Sequence, residues 1–182
     1  CNKNQADRVF VRLSRQSITD STTAAWMEQK LDADGFDCSR LVIQIPERDA
    51  AKHIKQTQAL VKHASKLGIG FALEHYGVDQ DRFQILDILK PNYIKLDGEL
   101  MHTLMTDSNL QLSVGKVVKA AQERKIKTIA ERVENANAMA VLFQLGLDFM
   151  QGHYVHEPEV VLQEAQLVAS STLAELTAAG GN

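Results

Sequence analysis

The residues best placed to do chemistry are polar side chains that stand just after short β-branched runs. In chain order they are Arg12, Gln44, Glu47, Glu74, His75, Lys95, Asp97, Glu131, Arg132, Glu134 and Gln151. The mixture of carboxylates, amides and fixed cations suits a bound ligand held by several directed contacts. The chain as a whole carries a formal net charge of -3, so it has no general pull towards a nucleic acid polymer or an anionic membrane. Any anion bound here must be held by a local arrangement of groups. Thiolate metal chemistry has no support. Cys1 and Cys38 form no CxxC and no Cys/His cluster at zinc spacing, and they read as free thiols of a reducing cytoplasm. No apolar run approaches the ~20 residues of a membrane span, and no signal-peptide pattern opens the chain. A soluble, cytoplasmic protein is expected.

The elements that must position these side chains alternate. Strand-like runs at 9–13, 41–45, 70–73, 93–96, 128–130 and 147–150 are separated by helical patterns. In 50–67, apolar Ile54, Leu60, Val61, Ala64 and Leu67 fall near one face, while Lys52, Lys55, Lys62 and Lys66 fall on the other. Asp49 stands where an N-cap belongs and Gly68 where a helix closes. The pattern over 138–145 ends in the same way at Gly146. Strands spaced by single helices imply parallel βαβ units. Either an open doubly wound sheet or a barrel satisfies that rule. No GxGxxG or GxxxxGK[ST] follows any strand, which weakens the nucleotide-binding open sheet. Polar residues at the C-terminal end of every strand fit a (β/α) barrel of the TIM type, which gathers such positions around one mouth.

A hydrophobic fraction of 45% and a charged fraction of 24% over 182 residues are ordinary for one globular domain. A closed barrel takes eight strands and ~250 residues, and about six of the eight units are read here. The polar, capless opening CNKNQADR stands directly before a strand. The expectation is a partial domain over 1–182 whose first two strand units lie upstream. Its barrel units would end near 158, with a C-terminal helix over 159–179. Unpaired strand edges would make such a piece prone to a swapped homo-oligomer or to aggregation. Trp26 and Met27, at helical spacing with Leu31, are expected in the core or at an interface edge. His153 and His156 are expected to be exposed.

Six segments, in order, resemble the EAL family of cyclic di-GMP phosphodiesterases and receptors. VFVRLS lies against a strand ending Asn-Leu-Ser, and LVIQIPE against a Glu-x-x-Glu strand. FALEHYG stands where the family has Asp-Asp-Phe-Gly, and YIKLDG matches a Lys-x-Asp strand. IAERVE lies against Ala-Glu-Gly-Val-Glu, and FMQGHYVHEP against Gln-Gly-Tyr and its proline loop. The resemblance spans residues 8–158 and implies an EAL-type barrel. It also implies a ligand site built from Arg12, Gln44, Glu47, Glu74, Lys95, Asp97, Glu131, Arg132, Glu134, Gln151, Glu157 and Pro158.

Phosphodiesterases of this family hold two divalent ions, Mg or Mn, with hard oxygen ligands that activate a water. This sequence departs from that pattern where it counts. Arg12 replaces the asparagine ligand, Gln44 replaces the first glutamate, and Glu74 and His75 replace the paired aspartates. Lys95, Glu131 (the family's general base) and Glu134 survive as a vestige. The resemblance therefore implies loss of metal binding and of catalysis, with cyclic di-GMP kept as a ligand and no cofactor. It is similar above all to FimX-type receptors, which act in type IV pilus and twitching motility control and engage a PilZ-class adaptor. Two rival readings stay open: a weak metal-dependent phosphodiesterase, and a nucleotide-free interaction module. Two pairings stay open as well. Arg12 either meets a ligand phosphate or balances Glu47 or Glu131, and Lys95 with Glu131 forms either a buried ion pair or ligand contacts.

Overall fold

The structure, a computed structural model, describes residues 8–78 and 83–155. Six strands make one sheet: β1 (Val9–Arg12), β2 (Leu41–Pro46), β3 (Gly70–Tyr76), β4 (Tyr93–Leu96), β5 (Lys127–Ala130) and β6 (Phe149–Met150). Each pairs in parallel with its neighbour in sequence, so spatial order equals chain order. The register climbs along the series. Gln44 lies beside Arg12 on one side and beside Ala72 on the other, which leaves Glu74 beside Pro46. Such a stagger tilts the strands and curls the sheet into a half-barrel.

Helices α1 (Arg15–Thr19), α2 (Thr23–Ala33), α3 (Glu47–Lys52), α4 (Ile54–Lys66), α5 (Phe83–Leu89), α6 (Ser108–Glu123) and α7 (Ala136–Gln144) form the outer layer. Alternation along the strands divides the apolar residues into two groups. Ile43, Ile45, Phe71, Leu73, Ile94 and Leu96 join the helices in the main core. Val42, Ala72, Tyr93 and Ile129, with Phe10 against them, form a smaller cluster on the concave face. There the Phe10 and Tyr93 rings meet edge-on at 5.3 Å, and Phe149 lies 6.4 Å from Tyr93. Local chemistry starts and stops the helices. Asp107 caps α6 through Asn109 N and Leu110 N, and Asn135 caps α7 through Ala138 N. Gly68 and Gly146, both at φ 80°, close α4 and α7 in the left-handed region that glycine adopts freely.

Two expectations need correction. The single helix over 50–67 is two helices, broken at His53 (φ -119°, ψ 43°). Asp49 is not an N-cap. Pro46, the last residue of β2, holds the cap position, so Glu47 and Asp49 fall in the first turn of α3. Their negative charge there complements the helix dipole. Of the two places expected for Trp26 and Met27, the core holds Met27, while the Trp26 side chain is exposed. The expected C-terminal helix over 159–179, together with His156, Glu157 and Pro158, lies outside the described residues. Among the described residues, no helix is long and apolar enough to cross a membrane.

Candidate functional site

The concave face above the aromatic layer carries a charged layer, placed by the period of two. Arg12 follows Phe10, Gln44 follows Val42, Glu74 follows Ala72, Lys95 follows Tyr93, Glu131 follows Ile129 and Gln151 follows Phe149. Two contacts cross the lumen between alternate strands, as side chains layer inside a barrel. Arg12 Nε on β1 lies 2.6 Å from Glu74 Oε1 on β3. Lys95 Nζ on β4 donates to Gln44 Oε1 on β2 at 3.3 Å. Lys95 Nζ also lies 2.5 Å from Glu131 Oε1 and 5.8 Å from the Phe10 ring centre. The ion pair between Lys95 and Glu131 is thus present.

Arg12 is paired, but with neither Glu47 nor Glu131 as expected. Glu131 is taken by Lys95, and Glu47 is buried in the first turn of α3. The stagger lifts Glu74 one period above Gln44, to the height that Arg12 reaches across β2. The Glu74 side chain is 5% exposed and that of Arg12 is 58% exposed. No guanidinium N–H is aligned on Glu74 Oε1, which has no hydrogen-bond partner among the described residues. The contact is ionic rather than directional.

Beside this pair opens a cleft of about 710 Å³, lined by Arg12, Pro46, Glu47, Arg48, Asp49, Ala51, His75 and Asp97. His75 enters it through an irregularity in β3. The register with β4 shifts between Leu73 and Tyr76, and His75 sits at φ 52°. A bulge of this kind re-aims side chains at a barrel rim, and a non-glycine residue with positive φ stores strain there. His75 Nδ1 lies 3.9 Å from Asp97 Oδ1, and Asp97 also caps the 3₁₀ turn Gly98–His102 through Glu99 N. Arg132, at φ 56°, pairs with Glu99 and lies across Gly98. A Cβ on Gly98 would fall 2.7 Å from the Arg132 side chain. Glu134 and Gln151 stand exposed at the rim. The Gln151 backbone joins Ala130 O and Val133 N.

Sequence reasoning missed Arg48 and Glu99. Neither follows a strand directly; one belongs to a helix and the other to a 3₁₀ turn. Among the described residues, no group of three or more His, Cys, Asp or Glu side chains could hold a metal ion. The buried carboxylate Glu74 and the partly buried Glu131 each face a cation of the protein's own.

A curled parallel sheet with its polar residues gathered at the C-terminal strand ends defines part of a (β/α) barrel. Within that class, the chain belongs to the EAL domain family, which it matches over residues 1–158. It is similar to the FimX EAL domain of Xanthomonas citri, solved with c-diGMP. The TM-score is 0.79 and the identity 28%, covering 86% of this chain and 61% of that one. The FimX EAL domain of Pseudomonas aeruginosa, bound to c-di-GMP, gives a TM-score of 0.77 and 29% identity, covering 82% of this chain and 61% of that one. Among curated proteins, the cyclic di-GMP phosphodiesterase PdeF of Escherichia coli K12 is 24% identical over 160 residues, 88% of this chain and 21% of its own. The chain spans about a fifth of that relative's length.

Proposed function

We propose that this domain binds cyclic di-GMP at the barrel mouth without hydrolysing it and passes its occupied state to a protein partner. A PilZ-class adaptor in type IV pilus control is the partner that the likeness to FimX suggests. The observation that carries this reading is the pairing of the mouth carboxylates with Arg12 and Lys95. Two divalent ions need free oxygen ligands. Here a guanidinium and an ammonium stand against those oxygens, and a metal beside either would meet a like charge. The residues present do not fit a two-metal centre, and the cations can receive phosphate oxygens instead.

The test is calorimetry of the chain with cyclic di-GMP in EDTA, paired with product analysis after incubation in Mg²⁺ or Mn²⁺. The reading expects saturable binding that metal does not alter, and no linear product. Metal-dependent turnover abolished by Glu131→Ala would establish an enzyme instead. No binding under any condition would leave an interaction module.

A further inference from the structure

From the Arg12–Glu74 contact we infer that Glu74 is a positioning residue, which holds Arg12 as a fixed cation so that its donor fork serves an anionic ligand. This inference rests on the proposed cyclic di-GMP reading and adds a role for a carboxylate that a metal centre would otherwise claim.

Three observations converge on it. Glu74 is buried, and its Oε1 has no hydrogen-bond partner among the described residues. Its charge is answered at 2.6 Å by Arg12 Nε. Arg12 is more than half exposed and lines the 710 Å³ cleft. A guanidinium offers five N–H donors in a rigid fork that matches a phosphate in bidentate fashion. Among the described residues, none of those donors is spent in an aligned hydrogen bond. The side chain is therefore anchored by charge at one edge while its hydrogen-bonding capacity stays available to the cleft. An arginine at the end of a strand, free of Glu74, would lose rotamer entropy on meeting a ligand. The anchor removes part of that loss in advance.

The inference makes a prediction of sign. By Coulomb's law alone, neutralising Glu74 should strengthen the binding of a dianionic nucleotide. Positioning requires the reverse. In EDTA, Glu74→Gln should weaken cyclic di-GMP binding about tenfold, and Arg12→Gln ten- to a hundredfold. The double variant should lose no more than Arg12→Gln, because each change disables one unit. Arg12→Lys keeps the charge but not the fork, and should also lose about tenfold with its urea midpoint near that of the wild type. In ligand-free protein, the Arg12 Nε–H signal should be resolved by NMR and should collapse towards free arginine in Glu74→Gln.

Unchanged or tighter binding in Glu74→Gln, with the wild type binding, overturns the positioning role and leaves the receptor reading intact. Failure of the wild type to bind sinks the receptor reading. In that case the Arg12 Nε–H signal decides the positioning claim, and a signal indifferent to Glu74→Gln refutes it.

Discussion

The two ends of this half-barrel use similar charged residues in opposite ways. At the base, where strands begin, contacts are directional and join neighbours. Asp148 accepts from Lys127 Nζ at 2.6 Å and from Thr128 N and Oγ1 at 2.9 Å each, which ties β5 to the entry of β6. Arg124 grips both oxygens of Asp87 and donates to Ala120 O, which joins α6 to α5. At the mouth, Arg12–Glu74 and Lys95–Gln44 reach over an intervening strand while Lys95–Glu131 joins neighbours, and the buried Glu74 keeps its Oε1 without an aligned donor. The base spends its charges on aligned contacts of the fold, while the mouth holds Arg12 by charge alone, which under the proposed function leaves its donors for a ligand. Stability at one end and function at the other is the division expected of this architecture.

The largest expected effect tests whether the mouth also carries stability. Lys95→Met leaves Glu131 facing an apolar side chain, and should cost about 3 kcal/mol in urea unfolding. Adding Glu131→Leu should recover most of that loss. Failure of the second change to restore stability would show that Lys95 matters for its contact with Gln44. Next comes Gly152→Ala, because a Cβ there would invade the backbone N and O of Val133. An overpacking cost of about 2 kcal/mol is expected, with β6 losing amide protection first. A fully protected β6 in that variant would show that the rim adjusts freely.

An effect of similar size belongs to the base. Burial pushes the Asp148 carboxyl up, but hydrogen bonds from Lys127 and Thr128 outweigh it and hold the group below its ordinary value. A depressed folded value means that the contribution is complete above the unfolded value of ~3.9 and is lost as pH falls through the folded one. Asp148→Ala should cost about 2 kcal/mol at neutral pH. It should also flatten the fall in stability as pH drops from ~3.9 through the folded value, and leave cyclic di-GMP affinity unchanged. A large affinity loss would break the division between the two ends. Smallest is Arg124→Gln, whose partner Asp87 is exposed. Its urea midpoint should stay within error of the wild type, and a clear drop would promote that pair to a structural anchor.

Much of this was legible in the sequence, for identifiable reasons. Strand starts at Val9, Leu41, Gly70 and Tyr93 follow from β-branched runs after helix stops. The charged layer follows from strand ends. The family was legible because six motifs kept their order. What was hidden depends on register. That Arg12 meets Glu74, and not Glu47 or Glu131, is fixed by a stagger accumulated over two strand pairs, and residue types carry no mark of it. The extension of β3 to Tyr76 depends on a bulge, and nothing in FALEHYG marks His75 for a positive φ. The break at His53 escaped because apolar spacing continues through it, while Glu47 had already started a helix at the end of β2.

The sheet order β1-β2-β3-β4-β5-β6 has a kinetic consequence. Among the described residues, every strand pairs only with strands adjacent in the chain, so each of these pairings closes a single loop of one crossover and none of them waits for a distant segment. Assembly can then proceed as a line of nearest-neighbour steps, much as stacked repeats do. A strand leaving the ribosome finds its partner already made. If these 182 residues are made alone, opening should run in the opposite sense, by peeling from β1 and β6 inwards, so that native-state hydrogen exchange is slowest in β3 and β4.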